Sequence, residues 1–229
     1  MLMNNIINQI LSISLWAGVT LIGYSQSTEI TVKFIGNCGL YLTDGTIHLY
    51  TDFPYKSGAH GYMEFAESEL DSIQENALFL FTHKHSDHYS RKSLKKIRKE
   101  KNGKAFGPWN SKDLATLSES IPNFTIESFK TKHAFSLNHH SYLITWHGKR
   151  IFISGDTEHA ETIGSLNTID WAIVPYWILL DANEKGIDLD AEKFLIYHLA
   201  SVQAPSAKEK WGDDPKFHPL IDQGEMIKI

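Results

Sequence analysis

The sequence predicts an α/β fold in which two β-sheets pack together with helices on their outer surfaces. Three observations predict it. Short apolar runs of strand length, bounded by turn residues, recur between residues 29 and 197. Two segments of helical character interrupt them in the first half of the chain. The composition is that of an ordinary globular protein, with 229 residues, 42% hydrophobic and 21% charged, which is enough chain to bury a core.

Residues 29–35, 39–42 and 47–51 read as strands, the last two joined by a turn at Thr43-Asp44-Gly45. Residues 77–82 (ALFLFT) are a buried strand by composition. A helix is predicted over 90–101, a short strand over 104–106, and a second helix over 111–120 with Asn110 or Ser111 as its N-cap. Residues 124–129 (FTIESF) alternate as a strand should. Residues 142–146 and 150–154 form a hairpin around His147-Gly148, and 171–175 and 194–197 are further buried strands. Strands, then αβαβ, then strands, then a closing αβ unit is the order that suggests two packed sheets. No repeat or low-complexity linker divides the chain, so residues 26–229 read as one domain.

The first charged side chain is Glu29, and residues 10–24 (ILSISLWAGVTLIGY) are an apolar run of 15. A membrane span needs roughly 20 residues. Gly23 and Ser25 are small residues in place for cleavage before Gln26, so residues 1–25 read as a secretory signal peptide. A periplasmic or secreted location follows, with an uncleaved, membrane-anchored form as the alternative.

The formal net charge is −5 with histidine neutral, which excludes a polycation that coats nucleic acid. The single Cys38 excludes a disulfide framework and an all-thiolate metal site. Twelve histidines accompany it, so any bound metal must be held by imidazole and carboxylate. Residues 82–89 read Thr-His-Lys-His-Ser-Asp-His-Tyr just after a buried strand. In an extended segment His83 and His85 point the same way and can grip one ion. Asp87 and His88, past the bend, can face a second. This donor set suits Zn²⁺, with Mn or Fe as alternatives. Other apolar strands also run into Asp or His: 47–51 into Asp52, 150–154 into Gly155-Asp156-Thr157, and 194–197 into His198, while His133 follows 124–129. Repeated termination of this kind points to ligands converging on one edge of the sheets.

The run His83-Lys84-His85-Ser86-Asp87-His88 matches the HxHxDH motif of the metallo-β-lactamase-fold hydrolase superfamily, and Gly155-Asp156-Thr157 resembles its later GD[ST] element. Gly36-Asn37-Cys38-Gly39 is similar to that family's early glycine turn, and Gly224-Glu225 before a short closing strand is also family-like. The resemblance implies a four-layer αββα sandwich with the metal site at one edge of the two sheets. It implies His83, His85 and His133 around one metal, Asp87, His88 and His198 around a second, Asp156 bridging them, and Asp52 orienting ligands from behind. His139 or His140 is the alternative to His133.

Two divalent ions so held would acidify a shared water, whose hydroxide attacks a carbonyl or phosphorus. Asp87 is the candidate for proton transfer, and His159, three residues past Asp156, is a second catalytic candidate or a helix cap. Asp87-His88 departs from the HxHxDR of the common zinc β-lactamases, which argues against antibiotic hydrolysis. The chain resembles the broad group that includes the sugar-lactone hydrolases and related small metal-dependent hydrolases, implying a small-molecule ester, lactone or phosphodiester as substrate. Two alternatives remain: a phosphodiesterase or nuclease using the eight basic residues of 91–104, or a non-catalytic metal-binding protein. Overall acidity disfavours nucleic acid, and those bases also fit a solvated helix face. Tyr176-Trp177 is a candidate pocket wall, and Tyr89 and His60 are weaker candidates. Residues 58–67 are the candidate for a segment that covers the site.

Overall fold

The structure is a computed structural model that describes residues 29–229, so the expected signal segment lies outside the described residues. The chain runs β1 (Thr31–Gly36), β2 (Gly39–Thr43), β3 (His48–Thr51), α1 (Ser68–Asp71), β4 (Leu78–Leu80), α2 (Arg91–Glu100), β5 (Lys104–Phe106), α3 (Leu114–Ser120), β6 (Phe124–His133), β7 (Ser136–Trp146), β8 (Lys149–Ile153), α4 (Glu161–Gly164), β9 (Ile169–Pro175), α5 (Tyr176–Lys185), β10 (Ala191–Tyr197), α6 (Ala204–Trp211), β11 (Phe217–Pro219) and β12 (Met226–Lys228). One six-stranded sheet has the order β12-β1-β2-β3-β4-β5, and the other β11-β10-β9-β8-β7-β6.

Strand alternation sends each apolar side chain to one of two places. Leu78 and Leu80 of β4, Ile144 and Trp146 of β7, Ile151 and Ile153 of β8, and Leu195 and Tyr197 of β10 meet in one cluster between the sheets. Their neighbours face outward. Phe79 packs with Leu94 and Ile97 of α2, while Leu143, Phe152 and Val174 pack with Ile163 of α4 and Ile178 of α5. The result is the expected αββα layering. Helix α2 is amphipathic, with Leu94 and Ile97 buried and Ser90 capping its first turn by accepting the Ser93 N–H. Six of the eight basic residues of 91–104 lie on its exposed face. Helix α3 buries Leu114 and Leu117 in the central cluster, closing one end of the sandwich. No helix among the described residues is long and apolar enough to cross a membrane.

Two elements differ from expectation. Strands β6 and β7 continue beyond 129 and begin before 142, in register from Phe124↔Trp146 to His133↔Ser136. His133 therefore ends a strand and is not in a following loop. The segment from Tyr176 is helix α5, because Pro175 ends the ladder with β10 and the chain turns back over the sheet.

Topology places the site. β3 and β4 are parallel, β8, β9 and β10 are parallel, and β6 has the direction of β8 because β7 opposes both. Asp52, residues 82–88, His133, Asp156 and His198 all leave the carboxyl ends of these strands. The carboxyl edge is where α/β sheets gather ligands, since the chain diverges there into loops.

Candidate metal centre

Two side-chain clusters form at this edge. In the first, ligand atoms of His83, His85 and His133 lie within 4.8 Å of one another. His85 Nδ1 and His133 Nε2 are 3.2 Å apart, and the His83 ring centroid is 4.5 Å from that of His85 and 4.9 Å from that of His133. In the second, Asp87, His88, Asp156 and His198 converge and all four are buried. Asp156 Oδ2 is 2.9 Å from His88 Nε2 and 3.1 Å from His198 Nε2. The same oxygen is 3.9 Å from His133 Nε2, so Asp156 stands between the clusters. His198 Nε2 is also 3.2 Å from Asp87 Oδ2.

These residues fit divalent cations. His83 Nε2 and Asp156 Oδ1 are buried without a hydrogen-bond partner, an expensive arrangement unless a ligand satisfies them. His88 Nε2 and His198 Nε2 approach carboxylates at ion-pair distance without hydrogen-bond geometry. Imidazoles and carboxylates aimed at common points but not at each other are a ligand set. Electrostatics agrees. Burial opposes charge on Asp156, but His88 and His198 outweigh it and hold the carboxyl well below its usual range. Burial likewise opposes charge on His198, yet Asp156 and Asp87 lift it to about 9. Burial pushes the His83 imidazole far down, so it presents a neutral nitrogen.

A second layer holds the ligands. Asp52 Oδ1 accepts the Thr82 N–H and its Oδ2 the Thr82 hydroxyl, both at 2.8 Å, and Oδ2 is 3.0 Å from His88 Nδ1. Asp52 thus orients His88 and does not join the clusters. Asp52 and His198 have left-handed φ values of 47° and 58°, a conformation uncommon outside glycine and concentrated at functional sites. Glu158 Oε1 lies 2.9 Å from His133 Nδ1. The turn at Gly36–Gly39 is a buttress: the Asn37 amide and Cys38 thiol both donate to the Asp87 carbonyl, at 3.1 and 3.2 Å, and the Asn37 carbonyl accepts the His198 N–H. Burial pushes the Cys38 thiol up, which keeps it a donor.

His139 is claimed elsewhere. Its Nε2 accepts the Asp156 N–H at 2.9 Å, so Nδ1 carries the proton given to the Thr131 hydroxyl at 2.7 Å. Both ring nitrogens are used to set the Asp156 backbone. Gly155 makes room for this: with φ of +63°, an added Cβ would sit 2.5 Å from His139 Nε2. His140 instead pairs with the Ser128 hydroxyl at 2.6 Å. The cluster of three therefore contains His133 and neither alternative.

His159 is not among the side chains brought together. It is about half exposed, 46%, and its ion-pair contact is Glu161 at 3.9 Å. Trp177 does wall the site, its ring 5.3 Å from that of His198. Tyr89 packs on Phe81 and Trp109, and His60 bonds the Ser86 hydroxyl at 3.0 Å. Sequence reasoning missed Glu158 and Asn37 as supports of the site; within the 58–67 segment expected to cover it, the ring of Tyr62 meets that of His198 edge-on at 4.3 Å. Glu158 follows the Gly155-Asp156-Thr157 element and Asn37 lies in the glycine turn, so their neighbours were the available signal.

No family model matches the sequence, and no curated protein matches it either. Solved structures do. Igni18, a metallo hydrolase from the archaeon Ignicoccus hospitalis, superposes with a TM-score of 0.64 at 16% identity, over 88% of this chain and 98% of that one. The metallo-beta-lactamase fold protein YhfI from Bacillus subtilis gives 0.58 at 14% identity, over 87% and 99%. Isothiocyanate hydrolase from Delia radicum gut bacteria gives 0.57 at 14% identity, over 86% and 98%.

Proposed function

We propose that this chain, which has the metallo-β-lactamase fold, is a metal-dependent hydrolase with two cation sites. His83, His85 and His133 would hold one ion; Asp87, His88 and His198 would hold the other; Asp156 would touch both. The observation that carries the reading is the position of Asp156 Oδ2, 2.9 and 3.1 Å from the Nε2 atoms of His88 and His198 and 3.9 Å from that of His133. Zn²⁺ suits this donor set best, with Mn or Fe as alternatives. When bound, a pair of such ions supplies a water of lowered pKa and a Lewis acid for a carbonyl or phosphoryl oxygen.

The chain's own residues do the positioning. Asp52 fixes the His88 ring through Nδ1, leaving Nε2 for the ion. Glu158 does the same for His133. Asp87 and Asp156 stay ionised, supplying the negative charge that makes two adjacent cations tolerable. Asp87, held by its backbone carbonyl at the Gly36–Gly39 turn, is the carboxylate assigned to proton transfer. The wall of Trp177 and Tyr62 beside His198 excludes water from one flank. The substrate is a small molecule with an ester, lactone or phosphodiester bond.

Metal analysis of purified, metal-replete protein tests the reading. Close to two ions per chain are expected, with turnover of at least one substrate in a panel of nitrophenyl esters, phosphodiesters and lactones. Absence of bound metal defeats the proposal. Export is a separate proposal that rests on residues 1–25: the mature chain should begin near Gln26, and full-length protein confined to the cytosol would overturn it.

A further inference from the structure

Helix α2 carries a charge pattern that works against its own stability. Arg91, Lys92, Lys95, Lys96, Arg98 and Lys99 are all exposed, and Glu100 is the one acid of the helix. Among the described residues none of the six cations has an ion-pair partner. Like charges stand four positions apart in Arg91–Lys95, Lys92–Lys96 and Lys95–Lys99, and such pairs destabilise a helix. Arg91 and Lys92 also begin the helix, whose first turn has no acid, at the positive end of its dipole. The formal net charge of the chain is −5, so the excess of cations belongs to this face. An anionic partner would offset the repulsion.

The face has a groove and an apolar border. Tyr89 lines a groove of about 450 Å³ with Arg91, Lys95, Arg98 and Lys99. Its ring lies 5.6 Å from that of Trp109, which is 38% exposed, and the Lys84 ammonium stands 4.4 Å from the centre of the Trp109 ring. The next residue, His85, has its Nε2 3.4 Å from the Phe135 carbonyl. At this turn of the β6–β7 hairpin Phe135 is fully exposed and Leu137 is 93% exposed. The turn is fixed, since the Ala134 N–H donates to Glu158 Oε1 at 3.2 Å. Two large apolar side chains held in water cost free energy unless something apolar receives them. Lys130 and Lys132 of β6 are exposed close by.

We infer that α2 and the Phe135–Leu137 turn dock this protein on an anionic lipid bilayer, with the cations among the headgroup phosphates and the two apolar side chains reaching the acyl boundary. Charge complementarity selects an anionic surface, since Lys and Arg gain from anionic headgroups. The turn selects a bilayer among such surfaces, because hydrocarbon lies just beneath its phosphates. Trp109 and Lys84 stand between the two parts, and indole rings favour the headgroup level. A nucleic acid would match the cations but offers nothing to Leu137. The 83–88 segment lies between α2 and the turn, so docking would hold the carboxyl edge of the sheets against the membrane. The inference stands whether or not the metal centre is catalytic.

Co-sedimentation of the full chain with vesicles tests it. Phosphatidylglycerol–phosphatidylcholine vesicles should bind the protein at least about tenfold more tightly than phosphatidylcholine alone, and salt should erase the difference. Residues 1–28 carry no charged side chain, so the ratio between the two vesicles isolates the basic face. A cation at such a surface is worth about fivefold in binding. Lys95→Gln with Lys99→Gln should therefore lower the ratio by at least about tenfold. Phe135→Asn with Leu137→Ser should weaken binding to the anionic vesicles by at least about tenfold; Asn also adopts the left-handed φ of 59° found at 135. All four side chains are exposed, and a thermal melt checks that the variants fold. Equal binding to the two vesicles overturns the inference, and so does a loss confined to only one of the two double variants. Tighter binding to a DNA duplex than to the anionic vesicles, lost with Lys95 and Lys99 but indifferent to Phe135 and Leu137, gives the face to nucleic acid and overturns it as well.

Discussion

The two ligand clusters are built differently although they share a carboxylate. The three-histidine cluster brings no carboxylate of its own, and His85 and His133 are only half-buried. The four-residue cluster is buried throughout and contains both acids. Its ligands are also the more firmly held: Asp52 reaches His88, the Asn37 carbonyl reaches the His198 backbone, and His139 fixes the Asp156 backbone. In the first cluster His133 relies on Glu158, whose side chain is 45% exposed. Were both clusters to bind cations as proposed, charge and rigidity would make the four-residue cluster the tighter site, since fixed opposite charge in a low dielectric attracts more strongly than neutral, less buried donors.

The comparison can be broken in several places. Asp156→Ala should have the largest effect. It removes the side chain common to both clusters, so activity should vanish and both ions should be lost on metal analysis. Graded chelation comes next: a one-ion species should accumulate, and histidine NMR signals should place the remaining ion among His88 and His198. Loss of both ions in a single step would erase the distinction. Asp52→Asn and Glu158→Gln sharpen it. Partners behind metal ligands are typically worth about 10–100-fold in affinity. Asp52→Asn should approach the upper end at the four-residue cluster, and Glu158→Gln the lower end at the three-histidine cluster, both read by competition with a chelating dye. Lys96→Ala, on the solvent face of α2, should leave metal affinity and turnover unchanged within about twofold.

Much of the site was legible because strand ends are legible. An apolar run that stops at Asp52, Asp156 or His198 fixes both an edge and a donor, and the 83–88 cluster is dense enough to stand alone. What failed was register. In residues 130–141 (KTKHAFSLNHHS) the buried face of the β6–β7 hairpin is polar, formed by Thr131, His139 and Ser141, while the apolar Phe135 and Leu137 are exposed, so hydrophobic alternation does not mark the strands. Nothing in its pattern tells strand from loop. Pairing Thr131 with His139 is what takes His139 out of contention and leaves His133 facing His85. Helix α5 was hidden for the opposite reason: Trp171 to Leu180 is one nearly unbroken apolar stretch, and periodicity cannot mark where a buried strand becomes a buried helix. Tyr62 belongs to the 58–67 segment expected to cover the site, but its partner His198 is 136 positions away, and only the folded turn brings the two rings together.

One feature of the topology reaches beyond catalysis. Asp87, His88, His83 and His85 hang from the sheet that contains β4, whereas His133, Asp156 and His198 hang from the sheet that contains β6, β8 and β10. Each cation would therefore be gripped from both halves of the sandwich at once, like a rivet through two plates. Ion uptake and sheet docking would then be a single equilibrium, in which a gain in occupancy would also be a gain in resistance to unfolding.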